Sequence, residues 1–315
     1  MPARRIFRGP TGMQILLLEI YRAVEGFIVK QKTPGMVCAL VLLGVCACGC
    51  IGAPVQTDTH NSSLADAVEQ KEMLVLLSLL QGEIDGALLG LDAQVAETAL
   101  NLTVSGISGA GAESQLAESL AADPSVTTAI TIGRNGTCLA AVPGEVGSLV
   151  GEDLSERPVV KATFERKVPV MTDVVPLHEG GYAAIIQYPV FSADERLIGA
   201  TSITFDPYPF LKERIEPVLN GTPYTAMVAG TGGRVLYDPD PAEVGKETFN
   251  ESLYEGFPEI LEFARSYADN RSGHATYSFY STGSSRVVQK EAYWTTVGLY
   301  SADWRLFIIR EISGA

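Results

Sequence analysis

The sequence predicts an α+β fold: a long N-terminal helix followed by two small modules, each an antiparallel sheet with flanking helices. Three observations predict it. First, Pro143-Gly144-Glu145-Val146-Gly147 returns as Pro241-Ala242-Glu243-Val244-Gly245, displaced by 98 residues. Each copy follows a short strand pair joined by a Gly turn, Arg134-Asn135-Gly136 in one and Thr231-Gly232-Gly233 in the other, so one small domain is present twice. Second, Leu77, Leu80, Ile84, Leu88, Leu91, Val95 and Leu102 recur at steps close to three or four, which marks one apolar helix stripe. Third, the strand patterns after each turn are consecutive and hairpin-joined, which makes their sheets antiparallel with helices gathered on one side.

The composition narrows the function. A chain of 315 residues, 46% hydrophobic, can bury one large core or two small ones. A net charge of −14 excludes a nucleic-acid partner, which would need clustered Lys and Arg. Residues 1–34 carry six basic side chains against Glu19 and Glu25, a balance of +4 that leaves −18 for the remainder. A basic start before an acidic body is the pattern of an exported protein.

Gly35 to Val55 contains no charge, and its Val37–Val45 h-region leads into Cys46-Ala47-Cys48-Gly49-Cys50. This resembles a lipobox, with Cys50 after Gly49 as the lipid-attachment residue and Cys48 as the alternative, although Ala47 stands where Leu or Val is usual. An uncleaved anchor helix, for which about 20 apolar residues suffice, is the other reading. Both place the body on the extracellular face of the membrane. Only Cys138 lies in that body, which excludes an internal disulfide framework and a C-x-x-C metal knuckle. All six asparagines (Asn61, Asn101, Asn135, Asn220, Asn250 and Asn270) begin Asn-x-Ser/Thr without an intervening Pro. Chance would place about one Asn in eight in that context, so a glycosylated surface is expected.

In order, residues 1–50 form the signal and lipobox or anchor segment, 51–63 a polar tether, and 64–122 the long helix and a short one, Glu113–Ala121. Asp123-Pro124 ends that short helix. Within the long helix Gly82, Gly86 and Gly90 recur every four residues, each costing about 1 kcal/mol of helix propensity against Ala. Close packing on the protein's own sheet is the favoured reason, and a helix-to-helix dimer seam the alternative.

The first module, 123–206, has strands Thr127–Gly133 and Thr137–Val142 across an Asn-Gly turn, then a helix Ser155–Arg166 with Pro158 in its first turn. Strands Val168–Val175, Gly181–Val190 and Leu197–Phe205 complete it. A connecting helix occupies 207–222. The second module, 223–315, repeats the order with Thr225–Ala229, Arg234–Tyr237, a helix Leu253–Ala268, and strands Gly273–Tyr280, Arg286–Tyr293, Thr295–Tyr300 and Arg305–Ile312.

This order, with Asp153-Leu154-Ser155-Glu156-Arg157, Gln187-Tyr188-Pro189-Val190-Phe191, Leu197-Ile198-Gly199-Ala200 and Gly233-Arg234-Val235-Leu236-Tyr237-Asp238-Pro239, resembles the double Cache (dCache, PAS-like) extracytoplasmic sensor domains of lipoprotein type. The resemblance covers about residues 64–312 and implies a small-molecule ligand, often an amino acid, amine or carboxylate, in the membrane-distal first module. Arg157 stands at the family's arginine position; Val159 and Val160 replace its aromatics, and Thr204 stands where an acid holds the amine. Arg157 and Lys161 with Tyr182, Gln187 and Thr204 suit an anionic or neutral polar ligand, because guanidinium and carboxylate form paired charge-assisted hydrogen bonds. Surface roles for Arg157 and Lys161 and a core role for Tyr182 remain open. The second module, with Leu253, Phe257 and Ile260 in its helix, is expected to be a support, and the repeated stretch a fold marker away from the ligand.

No catalysis is expected. His60, His178 and His274 have no metal-ligand spacing, and neither a nucleophile elbow nor a phosphate-binding Gly loop occurs. Asp238-Pro239-Asp240-Pro241 reads as a rigid turn rather than a cation ladder, so neither metal nor cofactor is expected. Two functions stay in view: a membrane-tethered ligand-binding protein acting through a separate membrane partner, or a structural or adhesion lipoprotein whose pocket has closed. A homodimer through the long helix is compatible with either.

Overall fold

A computed structural model describes residues 58–176, 182–300 and 302–312; the segment 1–50, Cys50 and most of the tether lie outside them. Helix α1 (Asp58–Ser105) leads into α2 (Gly109–Leu120). Strands β1 (Val126–Gly133), β2 (Cys138–Val142), β3 (Val170–Met171), β4 (Val175–Pro176), β5 (Tyr182–Phe191) and β6 (Leu197–Phe205) form a first sheet in the order β2-β1-β6-β5-β3, with β4 beside β5. Helix α3 (Pro158–Arg166) lies between β2 and β3 in sequence. Helix α4 (Pro207–Leu219) connects to β7 (Thr225–Gly230), β8 (Val235–Tyr237), α5 (Pro258–Asp269), β9 (Gly273–Tyr280), β10 (Val287–Val297) and β11 (Trp304–Ile312). The second sheet runs β8-β7-β11-β10-β9, the same antiparallel order as the first.

Helix α1 is the common spine. Met73, Leu77, Leu80, Ile84, Leu88, Leu91, Val95 and Leu102 are buried in one core with Ala184, Ile186, Ile203 and Phe205 of the first sheet and Val228, Leu306 and Ile308 of the second. The two modules also meet on its flank. Tyr188 and Tyr300 both donate to Asp92 Oδ1, at 2.8 and 2.6 Å, and their hydroxyls lie 2.8 Å apart. Burial first, then the Asp92 hydrogen bond and charge, push the Tyr188 phenol up to about 12. The loop between β10 and β11 is tied to α1 as well, through Gln81 Nε2 to Thr296 O at 2.9 Å and Gly298 N to Asp85 Oδ1 at 3.3 Å.

The glycine stripe is a correction. Gly82, Gly86 and Gly90 are exposed, and a Cβ on any of them would meet nothing within 4 Å. They do not pack on the sheets. At 100° per residue they fall opposite the buried stripe, on a second apolar face with Val68, Val75, Leu79, Leu89, Leu100 and Val104, all exposed.

The duplication is real, but its register shifts. Leu154 N donates to Gly136 O and Thr248 N to Gly233 O, both at 2.8 Å; Gly151 N donates to Cys138 O at 2.9 Å and Gly245 N to Val235 O at 2.8 Å. Bridges Thr137↔Asp153 and Arg234↔Glu247 complete the match. Hydrogen bonding therefore equates Gly245 with Gly151, both at positive φ (84° and 96°), rather than with Gly147. The first copy takes up its extra residues in a 3-10 turn, Gly144–Leu149. Gly136 and Gly233 are required at the turns: a Cβ would come within 2.4 Å of Ser155 and 2.5 Å of Phe249.

Element boundaries also differ from expectation: α1 begins at Asp58, inside the expected tether, α2 at Gly109 rather than Glu113, and α3 at Pro158 rather than Ser155. The strand expected at Val168–Val175 is broken into β3 and β4, because Asp173 turns the chain: its Oδ1 accepts from Val174 N at 2.8 Å and from Trp304 Nε1 of the second module at 3.2 Å. The strands expected at Arg286–Tyr293 and Thr295–Tyr300 are one strand, β10, kept in register through Trp294, whose indole leaves no room for a Cβ on Gly273. Helix α5 starts at Pro258 rather than Leu253, after a 3-10 turn at Glu251–Leu253.

A buried ion network pins the start of α1 to the last strands. Arg310 Nε donates to Glu291 Oε2 at 2.5 Å, and its other nitrogens reach Glu69 and Asp66; His274 Nε2 lies 2.8 Å from Glu291 Oε1. Burial opposes ionisation of Glu291, but the His274 and Arg310 hydrogen bonds and the Arg310 charge overcome it and hold the carboxyl below its ordinary range. Asp123, held by Ser125 and Arg214 against the same burial effect, is also lowered. A lowered folded-state value stabilises the fold above the ordinary carboxylate value of about 4, and that stability is lost as pH falls through the folded value. Unfolding free energy is therefore expected to drop as pH falls below about 4. Glu291→Gln, which leaves Arg310 half-paired, is expected to cost about 3 kcal/mol at pH 7 in urea denaturation. A pH-independent stability between 5 and 3 would contradict this assignment.

Candidate ligand-binding site

In the first module the sheet face turned away from α1 carries Ile130 and Ile132 of β1, Ile185 and Gln187 of β5, and Ala200, Ser202 and Thr204 of β6. Helix α3 covers it with Val159, Val160 and Thr163, all buried. Gln187 is 1% exposed, sits directly opposite Ser202, and donates from Nε2 to Val159 O at 3.3 Å. Thr204 is half-buried opposite Ile185 and Thr128. The Thr163 hydroxyl, one helical turn after Val159, is buried with no hydrogen-bond partner. A polar set thus lies within an otherwise apolar layer that includes Leu154, Val170 and the buried thiol of Cys138.

The residues singled out from the sequence fall in three places. Gln187 and Thr204 share this face. Arg157 and Lys161 are exposed at the start of α3, where Lys161 pairs with Glu156 at 2.7 Å, a solvent-facing contact of about 1 kcal/mol or less. Tyr182 alternates onto the opposite face of β5, at the junction of the modules. There the Arg234 guanidinium lies 3.7 Å from its ring centroid, held by Glu247 and by a 2.8 Å bond to Gly245 O. Tyr182 lines a cleft with Asp206, Tyr208 and Leu236 and another with Asp173, Val174 and Gly230.

The second module holds a partly open cavity of about 130 Å³ between its sheet, α5, and the loop after β8. Its lining includes Asp238, Glu243, Tyr254, Tyr277, Phe279 and Lys290. Glu243 comes from within the second copy of the repeated stretch, which therefore is more than a fold marker. The turn Asp238–Pro241 does form, with Asp240 N donating to Asp238 Oδ1 at 2.8 Å, and it lines the cavity as well. Lys290 lies inside the strand expected at Arg286–Tyr293, on the same side as Ala292 and Trp294, and a charge at an inward position of an alternating strand is the signal that marks it.

Residues 86–207 match the family model described as HK/GC/Chemotaxis protein-like, sensor domain. No curated protein sequence matches the chain significantly. Among solved structures, an extracellular ligand-binding receptor from Desulfohalobium retbaense DSM5692 superposes with a TM-score of 0.63 at 23% identity, over 76% of this chain and 40% of that one. The present chain thus spans well under half of that receptor. The ligand-binding domain of the Pseudomonas aeruginosa PAO1 amino acid chemoreceptor PctB, in complex with L-Gln, gives 0.54 at 15% identity over 76% and 90% of the two chains. That of the Pseudomonas fluorescens chemoreceptor CtaA, in complex with L-isoleucine, gives 0.55 at 15% over 80% and 96%. The fold is that of the double-Cache, PAS-like sensor domains.

Proposed function

We propose that the protein is an extracytoplasmic sensor or capture protein for a small polar or anionic metabolite. It is held at the cell membrane by its N-terminal segment and acts through a separate membrane partner. The observation that carries the ligand reading is the buried polar set of Gln187, Ser202 and the unpartnered Thr163 hydroxyl beneath α3. A buried hydroxyl without a partner costs about 1–3 kcal/mol, which a hydrogen-bonding ligand would recover. In this proposal Gln187 and Thr204 form the floor, and Arg157 and Lys161 supply positive charge at the rim. The amino acids named in the PctB and CtaA structures belong to those proteins and support the same size class here. The closed, structural alternative is favoured by one observation: Val159, Val160, Ile132, Leu154 and Val170 pack tightly into the same layer.

A thermal-shift screen of the full chain in detergent with carboxylates, amines and amino acids separates the two readings. Ligand at 100 times Kd adds about 2.7 kcal/mol, a rise of roughly 5–10 °C in Tm. Gln187→Leu is expected to abolish the response of a first-module ligand; no response to any class would sustain the structural reading.

The attachments follow from the same placement. Lipid on Cys50, or Cys48, is proposed for the tether. Of the six Asn-x-Ser/Thr asparagines, the five whose side chains are described (Asn101, Asn135, Asn220, Asn250 and Asn270) are all exposed, as glycan transfer requires. An intact mass measured from the native host is expected to exceed that of the polypeptide by both groups, and the bare polypeptide mass would exclude them.

A second copy of the chain is proposed to cover the outer face of α1. Val68, Val75, Leu79, Gly82, Gly86, Leu89, Leu100 and Val104 make a seam at steps of three, four, seven and eleven, of the kind that pairs helices. Sedimentation equilibrium is expected to show a dimer that Leu79→Glu converts to monomer; a monomeric parent protein would remove the seam from the account.

A further inference from the structure

The second module was expected to be a support, yet it holds the protein's charged cavity. Lys290, on β10, is 8% exposed and lines that cavity. It lies opposite Tyr277 on β9 and Glu311 on β11. Among the described residues no carboxylate comes within 4 Å of its ammonium, and no hydrogen bond is made to it. Phe279 lies 5.8 Å away, ring centroid to Nζ. The contrast with Arg310 is informative. That buried cation, one strand over, is paired with three carboxylates. The buried Arg305 is instead satisfied by the carbonyls of Tyr267, Ala268 and Asn270 and the Thr296 hydroxyl, whereas Lys290 has neither kind of protein partner, and an ammonium held away from water without one is costly.

Asp238 lines the same cavity from the end of β8. One of its oxygens accepts the Asp240 N–H; among the described residues the other accepts nothing. Burial pushes its carboxyl up to about 6 and pushes the Lys290 ammonium down, the latter partly offset by Asp238, Glu311 and Glu243. The two groups line one cavity and act on each other through charge, but they make no direct ion pair, so each keeps a hydrogen-bonding position open to a ligand. Glu243 is already engaged by Lys246 at 2.8 Å. The walls are apolar and aromatic: Phe263 stacks on Tyr277 with centroids 4.6 Å apart, and Tyr254 faces Phe279 at 6.0 Å. A volume of about 130 Å³ corresponds to about four waters at ~30 Å³ each, the space of a small metabolite.

We propose that this second-module cavity binds a small zwitterion, its acid group on Lys290, its ammonium on Asp238, and its apolar body against Tyr254, Tyr277 and Phe279. Only a molecule carrying both charges supplies both missing partners; an amine alone leaves Lys290 unpaired, and an acid alone leaves Asp238 so. The site is separate from the polar face of the first module and stands or falls independently of it.

Isothermal titration calorimetry of the detergent-solubilised full chain with the L-amino acids and 4-aminobutyrate tests the assignment. Isoamylamine and 4-methylvalerate serve as single-charge controls. At least one zwitterion is expected to bind, and each control at least about tenfold more weakly. Lys290→Met and Asp238→Asn should each weaken the zwitterion by about tenfold or more, whereas Gln187→Leu should not. Lys290→Met fills the cavity edge with an apolar side chain of similar length and should melt no lower than the parent without ligand, so loss of binding would not reflect unfolding. Binding lost in Gln187→Leu but kept in Lys290→Met and Asp238→Asn would overturn this site while leaving the first-module proposal intact. Equal affinity for a single-charge control, or no zwitterion binding at all, would also overturn it.

Discussion

Everything in this structure depends on one contact: the inner stripe of α1 against two sheets at once. Met73 through Leu102 are buried in a single core with residues of both modules, so neither sheet has a complete core without the helix. Burial of a Leu or Ile side chain contributes about 1.5–3 kcal/mol, and the stripe holds six of them, with Met73 and Val95 besides. The polar contacts along the same helix then fix register rather than supply the bulk of the stability. Asp92 receives one tyrosine from each module, Gln81 and Asp85 hold the loop between β10 and β11, and Glu69 meets Arg310. A shift of either module along the spine would break several of these bonds together.

On that spine the duplicated scaffold has diverged in its buried chemistry. Both copies keep the same strand order, the same turn glycine and the same hydrogen bonds from the segment after the turn. On the face turned away from α1, the first copy buries neutral polar groups, Gln187, Ser202 and Thr163, among aliphatic side chains. The second buries Lys290 beside an aromatic cluster of Tyr254, Phe263, Tyr277 and Trp294. Conserving the backbone bonds while exchanging the side chains between sheet and helix is how one fold encloses two unlike interiors. The modules touch through Asp173 and Trp304 and through Tyr182 and Arg234.

Much of the architecture was legible because periodicity reports burial directly. The steps of the α1 stripe, the alternation in Leu197–Phe205 and the turn glycines each point to one arrangement. The glycine stripe was misread because α1 has two apolar faces on opposite sides, and steps of three and four describe both equally well. The repeat was detected but aligned four residues out, since P-x-E-V-G occurs by letters at Gly147 while the backbone uses Gly151. The candidate site was less legible. Gln187 and Thr204 could be placed on one face by parity, and the same parity puts Tyr182 on the other. Lys290 was passed over because the mixed residues of Arg286–Tyr293 do not reveal which face is inward, and Asp238 because of the turn it also makes. A cavity is a property of three elements distant in sequence, and no local pattern records its volume.

The central claim, that this double-Cache body is a receptor for a small molecule, is tested most directly by native mass spectrometry. The full chain would be released from detergent in the presence of millimolar pools of amino acids, amines and carboxylates. The account predicts a saturable mass increment of one or two small molecules per chain from at least one pool. A chain that stays at its ligand-free mass with every pool would contradict it.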